Sequence, residues 1–131
     1  MGYPLSGEDL LKVIIDNLID KKGLNILHID LKGRVDYTDA FIVVSGSSKI
    51  HVQAMTEYLR LMLKDKYGIL PGCVEGFESG NWVIMDYSEI VIHFFDSYTR
   101  EYYDLESLWI DSPRTEYYLD NQGSLVSRLK P

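Results

Sequence analysis

The chain has 131 residues, of which 46% are hydrophobic and 25% charged, a size and composition that suit one soluble globular domain and leave no room for two. The net charge of −7 lies entirely in residues 75–131, because residues 1–74 sum to zero. Nine acids stand between Glu75 and Asp111 against the single base Arg100, so this half would repel a phosphate backbone and attract a basic partner. Solubility is the alternative explanation of the surplus acid.

Features that are missing from the sequence indicate in which cellular compartment we expect the protein. No apolar run of about 18 residues occurs, and Met1 to Glu8 has neither a basic start nor an apolar stretch, so we expect no membrane span and no signal peptide. Cys73 is the only cysteine, which excludes an internal disulfide and a multi-cysteine metal site. A reducing, cytoplasmic location is the simplest expectation.

The first half predicts two helices and two strands. Apolar residues at helical spacing predict a helix over Glu8–Lys22. Alternation over Asn25–Leu31 predicts a strand with one buried side, and the continuously apolar Ala40–Val44 is typical of a central strand. An apolar stripe over 52–63 then predicts a second helix, which Tyr67-Gly68 ends.

Three strands are predicted next, at about Cys73–Phe77, Trp82–Asp86 and Ile90–Phe95. The links between them are short, which predicts antiparallel hairpins. Two short helices are expected after them, one through Tyr103 and one through Trp109.

The predicted fold class is therefore α/β, with a mixed β-sheet of about five strands flanked by helices in the order α-β-β-α-β-β-β-α-α. The second strand, second helix and third strand can form a crossover, which gives one parallel pair inside the sheet. We assign residues 1–111 to this domain and residues 112–131 to a polar C-terminal tail that is loosely attached or ordered by a neighbour.

The sequence gives little support for a metal site or for a catalytic nucleophile. His28 and Asp30 share a strand face, but a metal site needs a third or fourth ligand, and the sequence does not place His93 beside them. Cys73 could pair with His93 across neighbouring strands, although a buried inert cysteine is the commoner situation. We therefore predict no metal ligands, no catalytic residues and no cofactor.

The turn at 45–48 opens a helix after a strand, so its backbone amides could hold an anion. A capped strand-to-helix turn is the simpler interpretation, because no Walker lysine pattern is present. Nucleotidyl transfer would also require paired carboxylates for Mg²⁺ near this turn. The first acid of the following helix, Glu57, stands alone, so the carboxylate pair is missing.

The aromatic and acidic residues of the second half suggest a docking surface instead. Ten tyrosines and two tryptophans occur, many of them late in the chain, and such side chains suit protein interfaces. If Val83 and Met85 face the core, then Trp82, Ile84 and Asp86 face outward. An apolar-aromatic strip beside carboxylates is a candidate site for a basic protein.

Four motifs in matching order and spacing resemble the ribosomal silencing factor family, RsfS or Iojap. They are 38–48 followed by His51-Val52; Val74-Glu75-Gly76; Trp82 with Asp86-Tyr87 and 90–94; and 100–106 closing at Leu108-Trp109. The match covers roughly Glu8 to Asp111. One departure is Ile50, where the family usually has a basic residue, and this puts an anion contact at the helix start in doubt.

The resemblance implies that the protein acts by binding a partner and not by catalysis. Such proteins bind a large-subunit ribosomal protein, number fourteen of the L series, and by occupying that face they block joining of the small subunit and lower translation when nutrients run short. The family is said to share a nucleotidyltransferase-like topology without its catalytic acids, and its members often crystallise as dimers. The predicted partner-binding residues are Glu75, Trp82, Ile84, Asp86, Arg100 and Tyr103.

Each predicted contact has a stated role. Glu75 and Asp86 would meet basic side chains, and Trp82 would anchor the interface. Arg100 and Tyr103 are secondary candidates, and a structural ion pair with local acids is the alternative role for Arg100. Two other functions stay open at this level: a nucleotidyltransferase-like protein that has kept nucleotide binding, and a homodimeric scaffold that uses the aromatic patch for self-association.

Overall fold

The structure is a computed structural model, and it describes residues 5–130. The expectation that the chain has no signal peptide rests partly on residues 1–4, which lie outside the described residues. In chain order the elements are α1 Gly7–Asp20, β1 Leu24–Asp30, β2 Ala40–Gly46, α2 Lys49–Tyr67, β3 Cys73–Glu75, β4 Trp82–Asp86, β5 Ile90–Asp96, α3 Ser97–Tyr103, a 3₁₀ helix Leu105–Trp109, β6 Arg114–Leu119 and β7 Leu125–Lys130. None of the described helices is both long and apolar enough to cross a membrane.

Local signals explain where the two long helices begin and end. The Ser6 hydroxyl accepts a hydrogen bond from the amide of Asp9 at the start of α1. The Ser48 hydroxyl accepts one from the amide of His51 at the start of α2, at 3.1 Å. Gly68 ends α2 in the left-handed region, at φ +67°, where glycine carries no Cβ penalty.

The seven strands within residues 5–130 form one mixed sheet in the order β3-β4-β5-β2-β1-β6-β7. One parallel pair occurs within residues 5–130, as predicted, but it joins β2 to β5 and not to β3. The connection between them runs through α2 and the β3–β4 hairpin, and β3 lies at the edge of the sheet, paired with β4. The prediction of about five strands is wrong. The segment expected as a loose polar tail contributes β6, which pairs with β1, and β7, which pairs with β6. Pairing with β1 satisfies the backbone groups of an edge that would otherwise stay open.

Each face of the sheet carries its own apolar cluster. On the helix face, α1 and α2 cover a core that includes Ile42, Val83 and Met85. On the opposite face, here called the α3 face, a smaller cluster includes Phe41, Val43 and Phe95, and the 3₁₀ helix packs against it through Leu105 and Trp109. The middle strands β2 and β5 are buried on both sides, which is why their sequences are almost continuously apolar.

Candidate docking surface

The β3–β4 hairpin places the predicted contact residues of the sheet on one face. Val83 and Met85 are fully buried on the helix face, so Trp82, Ile84 and Asp86 lie on the α3 face, as their alternation predicts. Glu75 is the cross-strand partner of Ile84, and side chains of directly opposed residues share a face. The predicted contact residues of β3 and β4 therefore form one continuous patch across the two strands.

Gly76 allows this hairpin to close. Its φ is +82°, and a Cβ at this position would overlap the carbonyl oxygen of Trp82. Any other residue would push the chain away from the start of β4. The glycine thus holds Glu75 and Trp82 on neighbouring strands of the same surface.

Trp82 is half-buried and engaged with its own chain. Its indole nitrogen donates a hydrogen bond to Nδ1 of His93 at 3.1 Å, and its ring stacks on Phe95 with the centroids 4.8 Å apart. Burial lowers the pKa of His93 to about 4, so the imidazole is neutral and accepts the bond. Trp82 is therefore a rigid part of the surface, fixed before any partner arrives.

Helix α3 adds tyrosine rings beside the patch formed by β3 and β4. The Tyr103 ring lies 5.1 Å from the Trp82 ring, and Tyr102 meets Tyr103 edge-on at 5.0 Å. Tyr98 and Tyr102 stack at 6.4 Å and are 78% and 71% exposed. Together with Trp82 these rings line a groove of about 560 Å³. We call Glu75, Trp82, Ile84, Asp86 and Tyr103 the aromatic–acidic surface, and Tyr98 and Tyr102 extend it.

Tyr98 and Tyr102 were not among the predicted contact residues. The signal that could have found them is their spacing of four residues, which puts two exposed rings side by side on one short helix. Exposed aromatic rings that cluster in this way are typical of protein interfaces.

Arg100 is not part of this surface. Its Nη1 donates to the carbonyl of Asn25 at 2.7 Å and to the hydroxyl of Ser45 at 2.9 Å, and its Nε pairs with Glu106 at 3.3 Å. The side chain is only 11% exposed. These contacts attach α3 to β1 and β2, which is the structural alternative considered for this residue.

The structure separates the groups that metal or nucleophile chemistry would need. His28 shares its row with Ile42 on the helix face, whereas His93 contacts Phe41 on the α3 face, so the sheet lies between the two imidazoles. Cys73 and His93 share a face but lie two strands apart, roughly 10 Å. Within residues 5–130 no three His, Cys, Asp or Glu side chains are arranged to hold a metal.

The turn before α2 is already occupied by the chain itself. Nδ1 of His51 accepts the amide of Ser47 at 2.9 Å, and Nε2 of His51 lies 2.8 Å from the carbonyl of Lys21. The imidazole therefore takes the place that an anion would need, and it links the start of α2 to the end of α1. This is the capped strand-to-helix turn, as the simpler interpretation predicts.

A model of one protein family, described as "Ribosomal silencing factor during starvation", matches residues 4–128. The chain belongs to the ribosomal silencing factor family. The match extends beyond Asp111, where the motif resemblance was expected to end, and it takes in most of the β6–β7 hairpin. The family is named for silencing ribosomes, which is a regulatory role and not a catalytic one.

Relatives and solved structures agree with this membership. The chain is 33% identical over 112 residues to "Ribosomal silencing factor RsfS" of Halalkalibacterium halodurans, covering 86% of this chain and 95% of the relative. It is 33% identical over 109 residues to the Bacillus subtilis protein of the same name, covering 83% and 92%. A crystal structure of a Chromobacterium violaceum protein, 32% identical, superposes with a TM-score of 0.76 over 80% of this chain and 87% of that one.

Proposed function

We propose that this ribosomal silencing factor family member binds the large ribosomal subunit, in the cytoplasm, through the L-series protein number fourteen. By occupying the face that meets the small subunit it would block subunit association by steric exclusion and so repress translation when nutrients are limited. The observation that carries the proposal is the aromatic–acidic surface, a preformed patch of rings beside carboxylates.

The charge of this surface suits a basic partner. The exposed Glu75 has no hydrogen-bond or ion-pair partner within residues 5–130, so its carboxylate is free to meet a cation. Asp86 uses Oδ1 to accept the amide of Ser88 at 2.7 Å, which orients the carboxylate at the end of β4. Charges placed in this way mainly accelerate association with an oppositely charged partner and make the choice of partner more selective.

The apolar part of the surface supplies the contact area. Trp82 and Ile84 are half-buried on the α3 face, and Tyr103 is 56% exposed beside them. Large rings that are already held in place lose little conformational entropy on binding, which favours them as anchors. Arg100 acts indirectly in this proposal, by attaching α3 so that Tyr103 stays beside Trp82.

A mitochondrial relative supports the choice of subunit. The mouse protein named "Mitochondrial assembly of ribosomal large subunit protein 1" is 32% identical to this chain over 105 residues. The name of that relative refers to the large subunit. Steric exclusion on that subunit requires only a stable fold and a tight interface, both of which are compatible with a site that lacks paired catalytic groups.

Co-sedimentation with purified large subunits tests the proposal. The native protein is expected to migrate with the large subunit and to lower the fraction of joined ribosomes when small subunits are added. Tyr103→Ala should weaken binding by about tenfold or more. Tyr58→Ala is the matched control, because Tyr58 is 40% exposed on α2. Migration of the native protein at the top of the gradient at low salt would contradict the proposal, as would equal effects of the two substitutions.

The same preparations separate the alternatives. Saturable binding of ATP and Mg²⁺ in calorimetry would favour a nucleotidyltransferase-like nucleotide-binding protein, the finer topology and function that the family resemblance implies. Homodimer formation also stays a prediction. Light scattering over a dilution series measures it, and a dimer that Tyr103→Ala dissociates would indicate self-association through the aromatic–acidic surface.

A further inference from the structure

The loop that joins β3 to β4, residues 76–81, forms part of the groove beside Trp82. Ser79 and Asn81 of this loop line the groove together with Trp82 and the tyrosines of α3. The strand before the loop, β3, is only three residues long, is exposed and lies at the edge of the sheet. An edge strand this short makes few contacts that could fix its loop. The position of this wall of the groove therefore depends on contacts that the loop makes elsewhere.

Gln53 on α2 makes such a contact. Its Nε2 donates to the carbonyl oxygen of Phe77 at 2.8 Å and to that of Glu78 at 3.2 Å. Two successive carbonyls that share one donor fix both the position and the direction of the peptide between them. Because α2 covers the helix face and Trp82 lies on the α3 face, this contact connects the two faces around the end of the hairpin.

Gly80 allows the loop to lie directly against the start of α2. A Cβ at this buried position would stand 3.1 Å from Cβ of Lys49 and 3.3 Å from Cδ of Gln53, and the φ of Gly80 is +69°. The amide of Gly80 also donates to the carbonyl of Gly76 at 3.1 Å, which closes the loop on itself. The loop is thus a compact unit that is seated on α2.

The other end of the loop is attached to the start of α3. The carbonyl of Asn81 accepts the amide of Asp96 at 3.0 Å. Asp96 in turn caps α3, because its Oδ1 accepts the amide of Thr99 at 2.8 Å. The loop therefore links α2 to the beginning of the helix whose tyrosines line the groove.

We propose that Gln53 is a positioning residue of the aromatic–acidic surface, given the docking function proposed above. It acts through the loop and not by touching the partner: it holds Ser79 and Asn81 where the groove between them and α3 is ready for the partner. A wall that is already in place needs no ordering when the complex forms. Such pre-organisation mainly lengthens the lifetime of a complex.

The rates of binding to immobilised large subunits test the proposal. Gln53→Met keeps the length of the side chain and removes the donor, so we expect a roughly 3- to 10-fold higher dissociation rate. The association rate should stay the same, because the net charge does not change. Thr56→Val is the matched control on the same helix: it removes the bond from the buried Thr56 hydroxyl to the carbonyl of Val52, and it should change neither rate.

NMR of the free protein provides a readout that general destabilisation would not give. In Gln53→Met the amide signals of Ser79, Gly80 and Asn81 should shift and exchange faster with solvent, because the loop has lost its contact with α2. The indole N–H signal of Trp82 should stay in place, since its bond to the imidazole on β5 is untouched.

Three results would overturn the role of Gln53 alone: a native dissociation rate in Gln53→Met, loop amides that do not move, or an equal loss of binding in Thr56→Val. If the native protein does not bind the large subunit at all, the docking function fails and the role of Gln53 in it fails as well. The two failures are thus told apart by the native protein.

Discussion

The indole nitrogen of Trp82 donates to Nδ1 of His93 across the β4–β5 pair, at 3.1 Å. Because Nδ1 is the acceptor, the proton of the neutral imidazole must sit on Nε2, which is buried and has no partner within residues 5–130. One hydrogen bond thus determines both the tautomer of His93 and the orientation of the ring most central to the aromatic–acidic surface.

Removal of that donor should destabilise the fold. Trp82→Phe keeps a ring against Phe95 but leaves Nδ1 of His93 without a donor, which should cost about 1–3 kcal/mol of unfolding free energy in urea denaturation. Trp109→Phe is the matched control, because the Trp109 indole nitrogen is buried without an acceptor among the described residues. An equal or larger loss in the control would show that ring size, and not the hydrogen bond, determines the effect.

The stability of the chain should depend on the protonation of His93. Its folded-state pKa of about 4 lies below the usual value of 6.5, so between these pH values the unfolded chain binds a proton that the folded chain does not. Stability is therefore expected to fall as the pH drops from about 6.5 towards 4, by roughly 3 kcal/mol from this group. Denaturation of the native protein and of His93→Gln across this range measures the difference, and parallel pH curves would refute it.

Charge reversal on the sheet should slow association with the large subunit. Glu75→Lys replaces an exposed carboxylate of the aromatic–acidic surface, and we expect a roughly 3- to 10-fold lower association rate at low salt. The difference should shrink at high salt because exposed charges are screened. Asp65→Lys changes another exposed acid, on α2, and should have little effect. Identical rates for both variants would mean that net charge alone guides the encounter.

Arg100 should matter for stability more than for direct contact. Arg100→Gln leaves Glu106 unpaired and removes the donors to Asn25 and Ser45, so we expect a loss of about 3 kcal/mol in chemical denaturation. Arg128→Gln is the control, since the side chain of Arg128 is 64% exposed and its pair should contribute less than about 1 kcal/mol. A stable Arg100→Gln protein with impaired subunit binding would instead make Arg100 a contact residue.

The C-terminal hairpin should be needed for a stable fold. A chain ending at Asp111 loses β6 and β7, so the backbone groups of β1 that face β6 lose their partners and Ile26 and Ile29, 1% and 0% exposed, lose cover. We expect at least roughly 3 kcal/mol of destabilisation, or loss of a cooperative melt. A chain ending at Asp120 keeps β6 and should retain most of the stability. A cooperative melt at the native temperature for the shorter chain would show that residues 112–131 are dispensable.

The local sequence pattern was sufficient to predict those helices and strands whose apolar side chains recur at a regular period. The stripe of α2, the continuous apolar run of β2 and the alternation of Val83 and Met85 with Trp82, Ile84 and Asp86 were all predicted, and the structure confirms them. β6 escaped prediction because its side chains are mostly polar or half-exposed. Its strand conformation depends on hydrogen bonds to β1, which lies more than eighty residues earlier in the chain.

The sequence by itself determined the family, the helical and strand segments as far as Trp109, and the placement of acid and aromatic residues in the second half, because these depend on residue type and short-range spacing. Only the tertiary structure decided that Arg100 reaches Asn25 and Ser45, that Arg114 opposes Lys130, and that the Tyr103 ring meets Trp82. Each of these is a contact between distant segments. Its geometry follows from sheet order and register, which the whole chain determines together and no local window contains.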